Sequence, residues 1–290
     1  MRLSVVIVTW NSEADISPCL DSINFRQQFE TIVVDNASAD STREKLNQYR
    51  HPAVILNDRN YGYARANNQG IKKATGEYVL LLNPDTRIEP GALDVLADWL
   101  DRHPETGAVA PKLLNPDGTA QPSIRSLPTV ATVFWELTGL ARLFPRNRTI
   151  GRWRMAWFDY DKATEVEQPM ASCLMLRRTV LEQLSGLDES LPIFYNDVDL
   201  SKRMAEAGWK THYLPEARVF HRRGASTSQV RPKMIWEAHR SLFRYLAKHD
   251  RSGLFWLKAI MLLPSLELAA LVRVLWYRLK NLKPEAKRGT

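Results

Sequence analysis

The chain has 290 residues, 44% hydrophobic and 25% charged, which is ordinary for a globular protein and excludes a disordered, collagen-like or repeat architecture. Its formal net charge of +8 is unevenly placed: residues 1–120 hold 12 Lys+Arg against 16 Asp+Glu, residues 121–200 hold 9 against 10, and residues 201–290 hold 19 against 6. The last third therefore suits polyanions: nucleic acid, anionic lipid or diphosphate-bearing substrates. Its basic residues are interleaved with a long aliphatic stripe, which argues against nucleic acid. Cys19 and Cys173 have neither metal-type spacing nor a disulfide framework, as expected in a reduced, cytoplasmic setting.

Strand and helix signals alternate through the first 110 residues. Residues 3–8 are a continuous apolar, β-branched run, too short for a signal peptide and read as a first strand. Residues 12–23 read as a helix with Ser12 as a plausible N-cap and Ile16, Leu20 and Ile23 on one face. A second strand, 31–34, ends at Asp35, and a helix over 39–49 follows with Asp40 or Ser41 to cap it. A short strand at 54–56 precedes a helix at 64–73 that the Thr75-Gly76 turn ends. Residues 78–82 form the fourth strand, closing at Asn83-Pro84-Asp85. Pro90 opens a helix to Arg102, where its missing N–H costs little. Residues 107–110 are a fifth strand. Continuous apolar strands separated by helices predict an α/β fold with a mostly parallel central sheet and helices on both faces. Ligands of such sheets bind beyond the carboxyl ends of the strands, which selects Thr9, Asn11, Asp35, Asn36 and Asp85 together.

Residues 119–165 are irregular and rich in Pro, Arg and aromatics. A strand-like run at 170–176 and a helix opening at Asn196-Asp197-Val198-Asp199 and ending at Gly208 follow. Residues 231–249 look helical. From 254 to 282 the chain is strongly apolar but interrupted by Lys258, Pro264, Glu267 and Arg273. Its longest charge-free stretch is the eight residues 259–266, against about 20 for a span. It therefore reads as two amphipathic segments hinged at Pro264 rather than as a transmembrane helix. Trp256, Leu257, Ile260, Leu263, Leu266, Leu271, Leu275 and Trp276 alternate with basic residues, which suits an interfacial helix on an anionic membrane surface. Packing on the rest of the chain, or a homodimer contact, is the alternative use of such a stripe.

Five motifs carry chemistry. In Asn83-Pro84-Asp85-Thr86, a carboxylate at a strand end can ligate a hard divalent cation such as Mg²⁺, which completes its shell with phosphate oxygens and water; the same tetrapeptide is also common turn material. Asp35 can accept from a pyrimidine imide or a ribose hydroxyl, or serve with Asn36 in a turn or helix cap. Asn60 to Gly70 sets a glycine near a helix start with polar amides at helical spacing. It lacks G-x-G-x-x-G, which disfavours a dinucleotide-binding enzyme. Asp197 and Asp199, at i and i+2, cannot share a helix face. Asp199 is assigned to capping or to Arg203 at i+4, leaving Asp197 as the base that takes a hydroxyl proton. His221-Arg222-Arg223-Gly224-Ala225-Ser226 offers an imidazole for a metal and arginines for a diphosphate.

Six stretches resemble glycosyltransferase family 2, with its GT-A fold, and especially its bacterial rhamnosyltransferase-like branch. They are residues 5–11, 33–42, 60–70, 81–86, 187–200 and 221–226, in the family's order. The resemblance implies inverting transfer from a nucleotide-diphosphate sugar, dTDP-linked rhamnose or a UDP-linked hexose, to a lipid-linked saccharide in cell-surface polysaccharide synthesis. It implies Thr9, Asn11, Asp35, Asn36, Asn60, Gly62, Asn67 and Asp85 on the donor side, Asp85 and His221 as ligands of Mg²⁺ or Mn²⁺, and Asp197 as the base. Three positions depart from the pattern: Asn83 where the metal motif often begins with Asp, Asn196 before the base instead of Glu, and Ala171 where Gly is common. With Asn83 in place, metal binding is expected to depend on the donor diphosphate. The expected organisation is a catalytic unit at 1–230, divided into a nucleotide-binding half (1–115) and an acceptor half (116–230), then a basic helical segment at 231–290. That segment would hold the enzyme peripherally on the cytoplasmic face of the plasma membrane. The main rival is a non-catalytic nucleotide-binding subunit of a polysaccharide assembly complex.

Overall fold

A computed structural model of the chain describes residues 2–23, 29–222 and 230–281. Strands β1 (Leu3–Thr9), β2 (Phe29–Asp35), β3 (Ala53–Leu56) and β4 (Tyr78–Leu82) form a parallel block in the order β3-β2-β1-β4. All of β1 and β4 is buried, as a strand covered on both faces requires. Helices α1 (Ile16–Ser22), α2 (Thr42–Leu46) and α3 (Tyr63–Lys73) connect these strands. The chain continues through β5 (Thr86–Ile88), α4 (Ala92–Arg102) and β6 (Thr106–Leu114). Beyond lie β7 (Ile124–Arg125), α5 (Val130–Leu137), α6 (Leu140–Leu143), β8 (Thr164–Glu165) and β9 (Gln168–Pro169). Strand β10 (Cys173–Arg177) runs antiparallel between β4 and β6, followed by α7 (Arg178–Gln183) and α8 (Asn196–Glu206). Strand β11 (Lys210–His221) lies parallel to β6 and antiparallel to β5, and α9 (Arg231–His249) and α10 (Phe255–Asn281) close the described chain.

The pleat sends alternate residues to opposite faces. Val5 and Ile7 join Val33, Leu80 and Leu82 under α1 and α4, while Val6, Val79 and Leu81 face α3, α7 and α8. A separate cluster docks the C-terminal helices: Val133 of α5 and Val198 of α8 meet Leu242, Tyr245, Leu246, Phe255, Ala259, Leu262 and Leu266.

The structure corrects the expected elements in several places. Helices α1 and α2 are shorter than the periodicity suggested, because the residues before them are used in side-chain-bonded turns. Ser12 is not the cap of α1: its carbonyl accepts from Asp15 and Ile16, and Asp15 takes the N-cap position. The stretch 119–165 contains α5 and α6 rather than being wholly irregular. Residues 255–281 are one helix carried through Pro264, not two segments hinged there. The proline removes one backbone bond, but Leu262 and Leu266 pack on the same hydrophobic cluster on either side of it. By length and composition alone residues 255–280 are long and apolar enough to cross a membrane. Cys19 and Cys173 are free and buried.

Candidate active site

The carboxyl ends of β1, β2 and β4 meet the start of α3, as the parallel topology requires. Asp35 and Thr9 have no exposed surface. Thr9 Oγ1 donates to Asp35 Oδ1 at 3.1 Å, while the Ser38 amide and Arg43 Nε donate to Oδ2 at 3.1 and 2.6 Å. Asp35 thereby pins the loop that leaves β2. Asn11 supports the same loop by accepting the Ala39 amide at 2.9 Å. Asn36 sits in an amide network. It donates to Asn60 Oδ1 at 2.9 Å and to the Gly62 carbonyl at 3.1 Å, and its own carbonyl accepts from Asn57 Nδ2 and from the Tyr61 amide. Gly62 has φ +87°, and a Cβ there would sit 2.8 Å from the Pro192 carbonyl oxygen, so both conformation and space require glycine. Asn67 donates to the Tyr63 carbonyl at 2.9 Å. Asn68 ties the helix to the other half of the cleft through the Leu187 backbone and Glu189.

Asp85 lies in the turn after β4, beyond Asn83 and Pro84. The pairing of β5 with β11 sets Thr86 opposite His221, and Asp85 Oδ1 comes within 3.4 Å of His221 Nε2. His221 is 3% exposed, and its Nδ1 lies 2.7 Å from Gln121 Oε1. Gln121 Nε2 donates to Asn115 Oδ1 and to the His221 carbonyl, which fixes its amide orientation and makes Oε1 an acceptor. His221 Nδ1 is therefore the donor in that contact, and Nε2 is turned toward the carboxylate, the arrangement typical of metal-binding histidines. The donor set fits a divalent cation with two protein ligands. Among the described residues no group of three or more His, Cys, Asp or Glu is arranged to hold a metal, so oxygens of a bound diphosphate or water would complete the shell. Cys19 lies beneath the turn, near the Asn83 carbonyl and Thr86 Oγ1; burial pushes its thiol up to about 12, and it is inert packing. The Arg222 amide donates to the Asp85 carbonyl at 2.9 Å and its guanidinium to Asp15 at 2.6 Å. Arg223, Gly224, Ala225 and Ser226 lie outside the described residues.

Asp197 and Asp199 diverge as their spacing demands. Asp199 has no exposed surface and takes Arg203 Nε at 2.7 Å, His249 Nε2 at 2.8 Å and Lys248 Nζ at 2.7 Å. Burial alone would raise its carboxyl, but hydrogen bonds from His249 and Lys248 and the charge of Arg203 hold it down at about 2. Asp197 instead faces the cleft. Its Oδ1 accepts the Val198 amide at 2.9 Å, while Gln168 Nε2 and the Ala171 amide approach Oδ2 at 3.4 Å. Burial raises its carboxyl above the ordinary range, opposed by these amides and by Arg125. Tyr195, at the N-cap of α8, has φ +65°; Asn11 and Ala37 at the opposite wall also carry positive φ. Such strain in non-glycine residues gathers at functional sites.

Two side chains that sequence reasoning missed join the halves. The Tyr63 hydroxyl donates to the Ala171 carbonyl at 3.2 Å; burial pushes it up, and Asp197 and Asp85 push it further, so one phenol senses both carboxylates. Gln121 lies 100 positions from the histidine it orients, in a stretch without periodicity to mark it. A cavity of about 370 Å³ adjoins Asp197, walled by β7, α5, α8 and the two C-terminal helices.

The model of glycosyl transferase family 2 matches residues 4–167. An N-acetylglucosaminyl-diphospho-decaprenol L-rhamnosyltransferase of Mycobacterium tuberculosis is 30% identical over 273 residues, covering 88% of this chain and 86% of its own. Among solved structures, the mannosyltransferase PcManGT of Pyrobaculum calidifontis in complex with GDP-Man and Mn²⁺ superposes with a TM-score of 0.60 at 20% identity, covering 94% of this chain and 74% of its own. Residues 1–349 of Staphylococcus aureus TarS in complex with UDP-GlcNAc give 0.56 at 20% identity, covering 94% and 80%. The fold is the GT-A fold, and the chain belongs to glycosyl transferase family 2, where it is similar to bacterial rhamnosyltransferases.

Proposed function

We propose that this glycosyltransferase moves L-rhamnose from dTDP-rhamnose, with inversion, to a hydroxyl of a lipid-linked saccharide during cell-surface polysaccharide synthesis. The observation that carries the reading is the pairing of Asp85 with a Gln121-oriented His221 across a cleft from Asp197, whose carboxyl burial raises. The mycobacterial relative, named for rhamnose transfer to a diphospho-decaprenol saccharide, supports the sugar and the acceptor class. Thr9, Asn11, Asp35 and Asn36 shape the nucleotide end; Asn60, Gly62 and Asn67 position the donor sugar side. Asp85 and His221 would hold Mg²⁺ or Mn²⁺, which would supply neutralising charge for the leaving diphosphate. Asp197 accepts the proton of the acceptor hydroxyl as its oxygen attacks the anomeric carbon. A carboxyl raised by burial is better matched to that task near neutral pH than an ordinary aspartate.

Helix α10 supports a peripheral place on the cytoplasmic membrane face. Ala259, Leu262, Leu266, Ala270 and Val274 are buried on one side. Trp256, Leu257, Ile260, Met261, Val272 and Trp276 lie exposed elsewhere around it, with Arg278 and Lys280 in its last turn. A helix docked along one side and apolar on the rest suits the interface plane. Flotation of the full chain with phosphatidylglycerol vesicles should succeed and should fail for Trp256→Glu; equal flotation would remove the membrane role.

The transferase reading is tested by incubating the full chain with a panel of nucleotide sugars and Mn²⁺ without acceptor. Slow, metal-dependent release of dTDP from dTDP-rhamnose is expected. No release from any donor would favour a non-catalytic nucleotide-binding subunit, and release from a UDP-hexose alone would reassign the sugar.

A further inference from the structure

We propose that the cavity beside Asp197 seats the acceptor's reacting sugar and its diphosphate, with Ser123 Oγ contacting the sugar and Arg273 of α10 binding the anion. This rests on the reading of the acceptor as lipid-linked. The C-terminal helices then complete the active site as well as meeting the membrane.

Three observations carry it. The cavity's volume of about 370 Å³ suits a monosaccharide with phosphates attached, and Asp197 stands in its wall. Ser123 also lines it; its hydroxyl oxygen is buried, outside hydrogen-bonding geometry with the described residues, and close enough to the Tyr160 hydroxyl to act on that phenol. Its backbone amide is already committed to the Tyr160 hydroxyl. A buried hydroxyl outside hydrogen-bonding geometry beside a cavity is a waiting contact for a ligand.

The charges supply the third observation. Arg154 is matched by Glu136 through two bonds of 2.6 Å each. Arg125 sits close enough to lower the Asp197 carboxyl. Arg273 differs from Arg154: its Nη1 donates to His239 Nε2 at 3.3 Å, and among the described residues it forms no ion pair. His239 Nδ1 lies 2.7 Å from the Ile235 carbonyl, to which it donates, so Nε2 is the acceptor. Burial lowers the His239 pKa and Arg273 lowers it further, so the imidazole stays neutral. It orients the guanidinium without cancelling its charge. A guanidinium held this way matches a phosphate's paired oxygens. Leu266, on the docked side of α10, gives the same cavity an apolar wall.

Geranyl diphosphate titrated into the full chain without divalent metal probes this seat while leaving the metal-dependent donor end silent. Arg273→Gln is expected to bind it roughly 10- to 100-fold more weakly, the loss for a hydrogen bond to a charged group. Ser123→Ala should raise the acceptor KM while kcat holds. Equal geranyl diphosphate affinity in wild type and Arg273→Gln, or no binding by wild type, overturns the proposal. So does an Arg273→Gln chain that loses phosphatidylglycerol vesicles yet keeps geranyl diphosphate, since Arg273 would then serve a lipid headgroup. Arg273-dependent binding without any metal-dependent donor cleavage would sustain the seat and remove the transferase reading instead.

Discussion

The two ends of the cleft are built on opposite principles. At the proposed nucleotide end Asp35, Asn36, Asn57 and Asn60 bond to neighbouring side chains and to the backbone, so the loops arrive already fixed. At the proposed acceptor end Asp197 holds one backbone amide at 2.9 Å and two looser contacts at 3.4 Å, Ser123 Oγ is outside hydrogen-bonding geometry with the described residues, and Arg273 leans on a neutral imidazole. A site that recognises one invariant group gains from rigidity. A site that must take a proton and a new bond keeps polar groups uncommitted until the substrate arrives. Asp197 and Asp199, two positions apart, condense the contrast: one carboxyl is raised by burial, the other held at about 2 by His249, Lys248 and Arg203.

The largest expected effect lies at Asp197. Replacing it by Asn should cut the transfer rate by about 10²–10⁴, the usual worth of a positioned base. Its folded pKa is raised, so its favourable contribution is present at low pH and lost as pH rises. At neutral pH the ionised group is a cost, and Asp197→Asn should melt no lower than wild type. The acid limb of kcat/KM should likewise fall above the ordinary carboxylate range. A melting temperature several degrees lower would make Asp197 a structural cap instead.

Asp199→Asn should do the reverse. Removing one member of a buried ion cluster costs about 3 kcal/mol, read in denaturant unfolding. Because the Asp199 pKa is depressed, its contribution is present above about pH 4 and lost as pH falls toward about 2. Undocking of α9 should follow that window in tryptophan fluorescence; an unchanged acid profile in Asp199→Asn would contradict it. A smaller effect is expected at Gln121. Gln121→Leu frees the His221 tautomer and should weaken Mn²⁺ binding about 10- to 100-fold, measured in the presence of nucleoside diphosphate. Unaltered affinity would mean that His221 does not ligate the metal.

Much of the donor half was legible because its signals are local. Apolar runs ending in Asp35 and Asp85 mark strand ends, and the parallel rule gathers those ends at one edge. The split of Asp197 from Asp199 followed from helical spacing alone, and Arg203 is where i+4 put it. Long-range pairings were not legible. Strand β11 holds His221 against β5, yet its register is set by contacts spread over 100 residues of chain, and Gln121 carries no periodic mark. Helix α10 was misjudged because charges on its surface broke the hydropathy count while packing on α9 kept the helix whole.

The division of labour across the cleft is tested most directly by calorimetric titration of dTDP-rhamnose with Mn²⁺ into Asp85→Asn and Asp197→Asn side by side. Asp85→Asn should lose the metal-dependent part of donor affinity, and Asp197→Asn should keep it. Metal-dependent donor binding that survives in Asp85→Asn, or disappears in Asp197→Asn, would contradict the account.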